Sequence, residues 1–275
     1  MDTGTLLPTC YRHPDRETRL ACSNCGRPIC VDCVRTGDTG QRCLECAAPA
    51  PGAEALDMED QRRRQPKPAV VTFTILAVSV AVFLVERLVP GMGDRVGRSF
   101  AQYNVLVEAG EWWRLITAAF LHSGEAHIAF NMFALYLFGP QLEREVGAVP
   151  FAGLYLASAI AGGAGWFVFG HPTIGAVGAS GAIFGLFGAW LAASYRGRHT
   201  ATGRASLRQL LVLLGINLAL GFVPGANIAW QALVGGLLAG LLVAGVWMLP
   251  GMRRQAVLRA LVAAVVAVGA LLPAL

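Results

Sequence analysis

The sequence predicts an all-α polytopic membrane protein with a small metal-binding domain at its N-terminal end. Three observations predict it. Of the 275 residues, 55% are hydrophobic and 14% charged, a balance far from that of a soluble globular domain. From Ala69 onward the chain is a series of long apolar runs, with Arg concentrated in several of the segments between them. All seven Cys fall between Cys10 and Cys46, too clustered to be a disulfide framework for the whole chain.

The Cys-rich head contains four pairs in order: Cys10-x2-His13, Cys22-x2-Cys25, Cys30-x2-Cys33 and Cys43-x2-Cys46. Eight ligands make two tetrahedral zinc sites with no Cys left over. Only four residues separate Cys25 from Cys30, which is tight for closing one site from the two middle pairs. The expected arrangement is therefore interleaved, the first pair with the third and the second with the fourth. With every coordination position filled by a side chain, the zinc is structural, and the default role is binding a protein partner. So short a stretch cannot build an adequate apolar core, so metal supplies much of its folding energy. The spacing resembles a B-box-type zinc finger, although the last pair is Cys-x-x-Cys where that family often uses His. The head is expected over residues 1–48.

Residues 49–68 are expected to be a linker. Prolines favour extended backbone there, and Glu54, Asp57, Glu59 and Asp60 resist collapse. Arg62, Arg63 and Arg64 lie just before the first apolar run, as a cytoplasmic anchor near anionic lipid would. No secretory signal peptide is read, since that run starts only near Ala69.

The membrane domain is expected over residues 69–275. Seven spans are read, at about 69–89, 125–142, 150–170, 177–195, 208–223, 228–248 and 257–274, each near the length needed to cross roughly 30 Å of hydrocarbon. Arg62, Arg63, Arg64 and Lys67 precede the first span. Arg196, Arg198, Arg204 and Arg208 lie between the fourth and fifth. Arg253, Arg254 and Arg259 lie between the sixth and seventh. These segments fall on one side, which the positive-inside rule makes cytoplasmic. The zinc head is then cytoplasmic, the C-terminus external, and the chain a multi-pass plasma membrane protein. The net charge of +5 is explained by topology, so no nucleic acid partner is expected. The external loop 90–124 carries Trp112, Trp113 and Arg114, aromatic residues suited to the headgroup layer.

Three motifs carry chemistry. Gly178-Ala179-Ser180-Gly181 opens the fourth span. His122, His127 and Asn131 cluster at the start of the second. Ala232-Leu233, with Gly236 and Gly240 following, lies in the sixth. Spans two, four and six all enter from outside, so His127, Asn131, Ser180 and Leu233 are expected at one depth below the external surface. Gly181 and Gly185 form one ridge of small residues, and Ala232, Gly236 and Gly240 the facing one. Together, from Pro68 to Leu249, these residues resemble the rhomboid family of intramembrane serine proteases. The resemblance implies a bundle of six core spans plus a C-terminal seventh. It implies Ser180 as nucleophile, His127, Asn131 and the Ser180 N–H as oxyanion donors, and the bilayer and transmembrane helices as partners. The family's Ala-His-x-x-Gly-x-x-x-Gly is present with Leu233 at the general-base position. His122 is expected to pack or to contact a loop. His171 and His199 are not placed to substitute as base.

A serine peptidase needs a nucleophile, a base and oxyanion donors. Leu233 cannot accept a proton, so turnover should be very low. Two readings follow: an enzyme disabled by one substitution, or a pseudoprotease that binds membrane helices and couples this to a cytoplasmic partner of the zinc head. A transporter has weak support, since inverted repeats and intramembrane charge are not evident.

Overall fold

The computed structural model describes residues 7–37, 40–48, 68–223, 228–252 and 255–275. The expected linker lies outside the described residues except at Pro68, as do Arg62, Arg63, Arg64, Lys67, Arg253 and Arg254. The chain divides into two compact units, Met1–Pro66 and Lys67–Leu275.

The first unit is two small hairpins and one helical turn. Strand β1 (Thr9–Cys10) pairs antiparallel with β2 (His13–Glu17), and β3 (Arg35–Gly37) with β4 (Gly40–Arg42). The turn α1 (Leu44–Ala47) follows, and the Cys43 sulfur accepts from the Cys46 N–H at its start. The core is almost entirely sulfur: Cys10, Cys22, Cys30, Cys33 and Cys43 are buried with Ile29, while Tyr11, Leu20, Val34 and Leu44 pack around them. One fully buried aliphatic side chain cannot offset the chain entropy of a fold this size.

The second unit is built from helices, with one isolated antiparallel bridge between Gln102 and Ala176 among its described loops. Helix α2 (Val70–Leu88) leads into α3 (Met92–Phe100), α4 (Asn104–Glu108) and α5 (Arg114–Thr117), and a 3-10 turn follows at Ala118–Phe120. Five long helices come next: α6 (Glu125–Val146), α7 (Ala148–Phe169), α8 (Ser180–Arg196), α9 (Ala201–Leu220) and α10 (Trp230–Trp247). The last is α11 (Ala256–Leu271), extended by a 3-10 turn. Helices α2, α7, α10 and α11 with its 3-10 turn are long and apolar enough to cross a membrane. The others differ for local reasons. Helix α6 carries Glu125 in its first turn and Glu143, Arg144 and Glu145 in its last. Helix α8 has 17 residues, about 26 Å at 1.5 Å per residue. Helix α9 begins at Ala201, earlier than the apolar run suggests, because Thr200 caps it by accepting from the Gly203 N–H at 3.0 Å. Arg204 and Arg208 therefore lie inside α9, not in a loop.

Glycine sets the packing at the centre. A Cβ on Gly236 would meet the Gly181 carbonyl oxygen at 1.9 Å, and one on Gly240 would meet that of Gly185 at 1.9 Å. Helices α8 and α10 thus touch backbone to backbone along the two small-residue ridges. Helix α7 joins them, since a Cβ on Gly235 would lie 2.3 Å from the Ala161 oxygen. On α7 the small-residue run Ala161–Gly165 makes this approach possible, but nothing in the sequence says which helices it meets.

Hydrogen bonds between helices also sort the helix ends. Glu143, near the end of α6, accepts from the N–H groups of Val71 and Thr72 (2.9 and 2.8 Å) and from the Thr72 hydroxyl (2.7 Å) at the start of α2. Arg259 reaches the Val146 carbonyl at 3.3 Å, Trp247 at the end of α10 donates to the Arg259 carbonyl at 2.9 Å, and Arg196 donates to the Met248 carbonyl at 3.0 Å. The start of α2, the ends of α6, α8 and α10 and the start of α11 therefore share one end of the bundle, where Arg144, Arg196 and Arg259 lie. Glu143 is 2% exposed and caps α2 in place of a local N-cap side chain. Glu143→Gln turns an acceptor into a donor facing donors, and should cost about 1–3 kcal/mol. A lowered thermal unfolding midpoint in detergent checks this; an unchanged midpoint contradicts the capping role.

Candidate active site and metal centre

In the first unit the eight expected ligands gather in two groups. Cys10, His13, Cys30 and Cys33 form one, and Cys22, Cys25, Cys43 and Cys46 the other; within each group the ligand atoms lie within 4.8 Å of one another. These are the interleaved sets. Zn–S bonds of about 2.3 Å and Zn–N bonds of about 2.0 Å fix tetrahedral edges of about 3.8 Å between two sulfurs and about 3.5 Å between sulfur and nitrogen. The Cys25 and Cys43 sulfurs are 3.8 Å apart. The His13 Nδ1 lies 3.8, 3.3 and 3.4 Å from the sulfurs of Cys10, Cys30 and Cys33. The geometry fits a tetrahedral ion in each group. A backbone N–H of Cys43 lowers the Cys22 thiol to about 6 against the opposing effect of burial, while Cys25, despite a backbone N–H of Arg27, is raised to about 11 by burial and the neighbouring sulfurs; a cation among the four would let them all stand as thiolates. The head is thus a metal-binding domain.

In the second unit, Ser180 is the first residue of α8. Gly178 precedes it with φ +128°, a left-handed conformation that side chains rarely adopt. Its N–H is held by the Ala118 carbonyl at 2.9 Å. A Cβ there would also lie 2.6 Å from His127 Nε2 and 3.8 Å from Asn131 Nδ2. Both nitrogens, one helical turn apart on α6, therefore converge on the turn that presents Ser180. Ser123 Oγ lies 3.0 Å from the His127 Nδ1, and Asn131 donates one N–H to the His127 carbonyl at 3.1 Å, leaving its second amide proton available. The Ile183 N–H, bonded to the Ala179 carbonyl, closes the first turn of α8. N–H groups before it lack intrahelical acceptors, so this helix end suits negative charge.

Ser180 lines a cavity of about 40 Å³ with Gln102, Gly163, Trp166, Ala229 and Ala232 among its walls, room for a few waters. A Cβ on Gly181 would lie 3.2 Å from the Ala232 carbonyl. Ser180 and Leu233 are the chain neighbours of that touching pair, so the first turns of α8 and α10 lie side by side. Leu233 is 2% exposed and belongs to the apolar core. Among the described residues lining the cavity there is no imidazole, carboxylate or amine. His122 is buried against His127, ring centroids 5.2 Å apart. His171 is exposed and turned to Thr173, and His199 is exposed.

Several supporting residues were not legible as such. Gln102 donates to the Gly163 carbonyl at 2.8 Å and to Asn104 Oδ1 at 3.1 Å, and its backbone pairs with that of Ala176. Asn104 donates to the Trp166 carbonyl at 2.9 Å. Arg114 is 4% exposed, pairs with Glu111 at 2.6 Å and donates to the carbonyls of Ala101 and Arg98. Trp112 and Trp113 face outward beside it. These groups staple the loop after α2 to α7 and to the segment before Ser180. A buried Arg beside two exposed Trp gives a sequence signal for one of them; Gln102 and Asn104 give none.

The chain is similar to known proteins along both of its units. The Rhomboid domain family model matches residues 109–249, and the B-box zinc finger model matches residues 7–38, stopping short of Cys43 and Cys46. Rhomboid protease GluP of Bacillus subtilis (strain 168) is 35% identical over 206 residues, covering 71% of this chain and 40% of that protein. Putative rhomboid protease YdcA of the same strain is 38% identical over 175 residues, covering 63% of this chain and 86% of its own length. RHOMBOID-like protein 9, chloroplastic, of Arabidopsis thaliana is 37% identical over 123 residues, 42% of this chain and 28% of that protein. With its helical bundle, its membrane-crossing helices and its metal-binding head, this chain is an integral membrane protein that belongs to the rhomboid family and carries a B-box zinc finger.

Proposed function

We propose that the membrane unit is an intramembrane serine endopeptidase scaffold, directed at transmembrane helices near their external end and disabled by Leu233. The convergence of His127 and Asn131 on the Gly178 turn beside Ser180 carries the reading. Ser180 is the nucleophile. His127, Asn131 and the Ser180 N–H stabilise the oxyanion. Position 233 is where the family's base stands, and aliphatic Leu accepts no proton. The absence of any other base among the described residues lining the cavity supports this further. A second reading is favoured by the same Leu233: a pseudoprotease that captures membrane helices without cutting them. A fluorophosphonate probe and a cleavage assay on the chain as it stands test the first reading. Cleavage at full speed that Ser180→Ala abolishes would mean another base exists.

All seven helices from α2 to α11, the short α3–α5 excepted, cross the membrane in this reading. The Arg-rich end is cytoplasmic, in the plasma membrane, with the zinc head on that side and the C-terminus outside. Residues 49–68 link head and bundle. The head holds two structural Zn2+ through the eight ligands and recruits a cytoplasmic protein. A Cβ at residue 178 would strike His127, so in a Leu233→His background Gly178→Ala should lower cleavage at least tenfold while the protein still folds. Unchanged kcat would remove His127 from the oxyanion site.

A further inference from the structure

Besides the Ser180 cavity, the second unit holds an open groove of about 560 Å³ on its outer surface. Its floor is a stripe of α2: Val70, Phe73, Ala77 and Val78, residues that recur on one helical face. Phe73 packs edge-on against Tyr136 of α6, ring centroids 6.4 Å apart. Among the described residues lining the groove, the one charged side chain is Arg144, in the last turn of α6. It sits where α2 begins, because neighbouring Glu143 binds the N–H groups of Val71 and Thr72. The cation therefore lies at the helix ends, and the apolar stripe runs from it toward the middle of α2. That polarity matches a phospholipid, with its phosphate at the interface and its acyl chain running inward. Val70, Phe73 and Val78 are exposed, as lipid-facing residues are. Arg144 also has an interaction within the chain, but a guanidinium offers five donors and can share them with a phosphate. Arg196 and Arg259 lie at the same end of the bundle, which adds to the positive field there.

We propose that this groove binds one anionic glycerophospholipid, its phosphate on Arg144 and an acyl chain along α2. Native mass spectrometry of the full chain in detergent tests it, with dioleoyl phosphatidylglycerol, dioleoyl phosphatidylcholine and inorganic phosphate supplied separately. The expected result is one retained phosphatidylglycerol, bound at least tenfold tighter than phosphatidylcholine. Arg144→Gln should lose that preference, and Ala77→Trp, which fills the groove but keeps the cation, should lose retention of the lipid. Arg198→Gln, an exposed Arg outside the groove, should change neither. If Arg144→Gln does not fold, Ala77→Trp alone decides. Equal binding of the two lipids, a preference surviving Arg144→Gln, or lipid retained in Ala77→Trp would overturn the proposal. So would inorganic phosphate displacing the lipid completely at millimolar concentration.

Discussion

Leu233→His should raise cleavage of a transmembrane substrate by at least about 10³-fold over the chain as it stands. In a soluble serine protease, loss of the base costs on the order of 10⁶ in kcat, so restoring it leaves a wide margin. The substitution is close to volume-conserving, so packing should change little. Its cost is electrostatic: position 233 is 2% exposed, and a buried imidazole without a partner loses about 1–3 kcal/mol. The Ser180 hydroxyl, beside the first turn of α10, is the partner that offsets it. The added activity should disappear in the Leu233→His, Ser180→Ala double variant and should fall at acid pH as the new imidazole protonates. An inactive but folded Leu233→His protein, tried on several substrates, would instead favour the helix-binding pseudoprotease.

Removing metal should unfold the head and leave the bundle intact. Structural zinc sites of this type bind with apparent free energies of about 10–16 kcal/mol at neutral pH, far more than the packing around Ile29 can supply. Metal analysis should find two Zn2+ per chain. The NMR dispersion of a fragment covering residues 1–50 should collapse on chelation and return with zinc. Grouping is tested by Cys10→Ser combined with Cys30→Ser. Both residues belong to one cluster, so one ion should be lost and one kept. Loss of both ions would mean that the pairs bind sequentially, and a fragment that stays folded in chelator would remove zinc from its folding energetics.

Much was legible because the determining physics is local in the chain. Cys-x-x-Cys spacing places two ligands on one ion wherever the segment goes. Apolar runs of about 20 residues mark helices, and the Gly181–Gly185 and Gly236–Gly240 spacings mark faces that can approach closely. Helix ends were less legible. The run beginning near Arg208 hid the cap at Thr200, and Glu143 fell one residue beyond the expected end of the second span. A buried carboxylate there makes sense only once the start of α2 is known to lie against it. The convergence of His127 and Asn131 on the Gly178 turn follows a four-residue spacing that the sequence displays. That Gly178 must lack a Cβ to admit His127 is a fact of assembly.

By itself, the sequence determined the helical membrane class, the eight candidate metal ligands, the small-residue ridges and the lack of a proton acceptor at position 233. Each depends on residue type and spacing along one segment. Tertiary structure decided which pairs of ligands share a cluster, that α7 packs with α8 and α10, and that Arg114, Gln102 and Glu143 pin separate segments together. It also decided that Leu233 lies in the apolar core beside the first turn of α8. Those outcomes depend on which distant backbone carbonyls and N–H groups remain to be satisfied once the helices have packed, and only the assembled bundle fixes that.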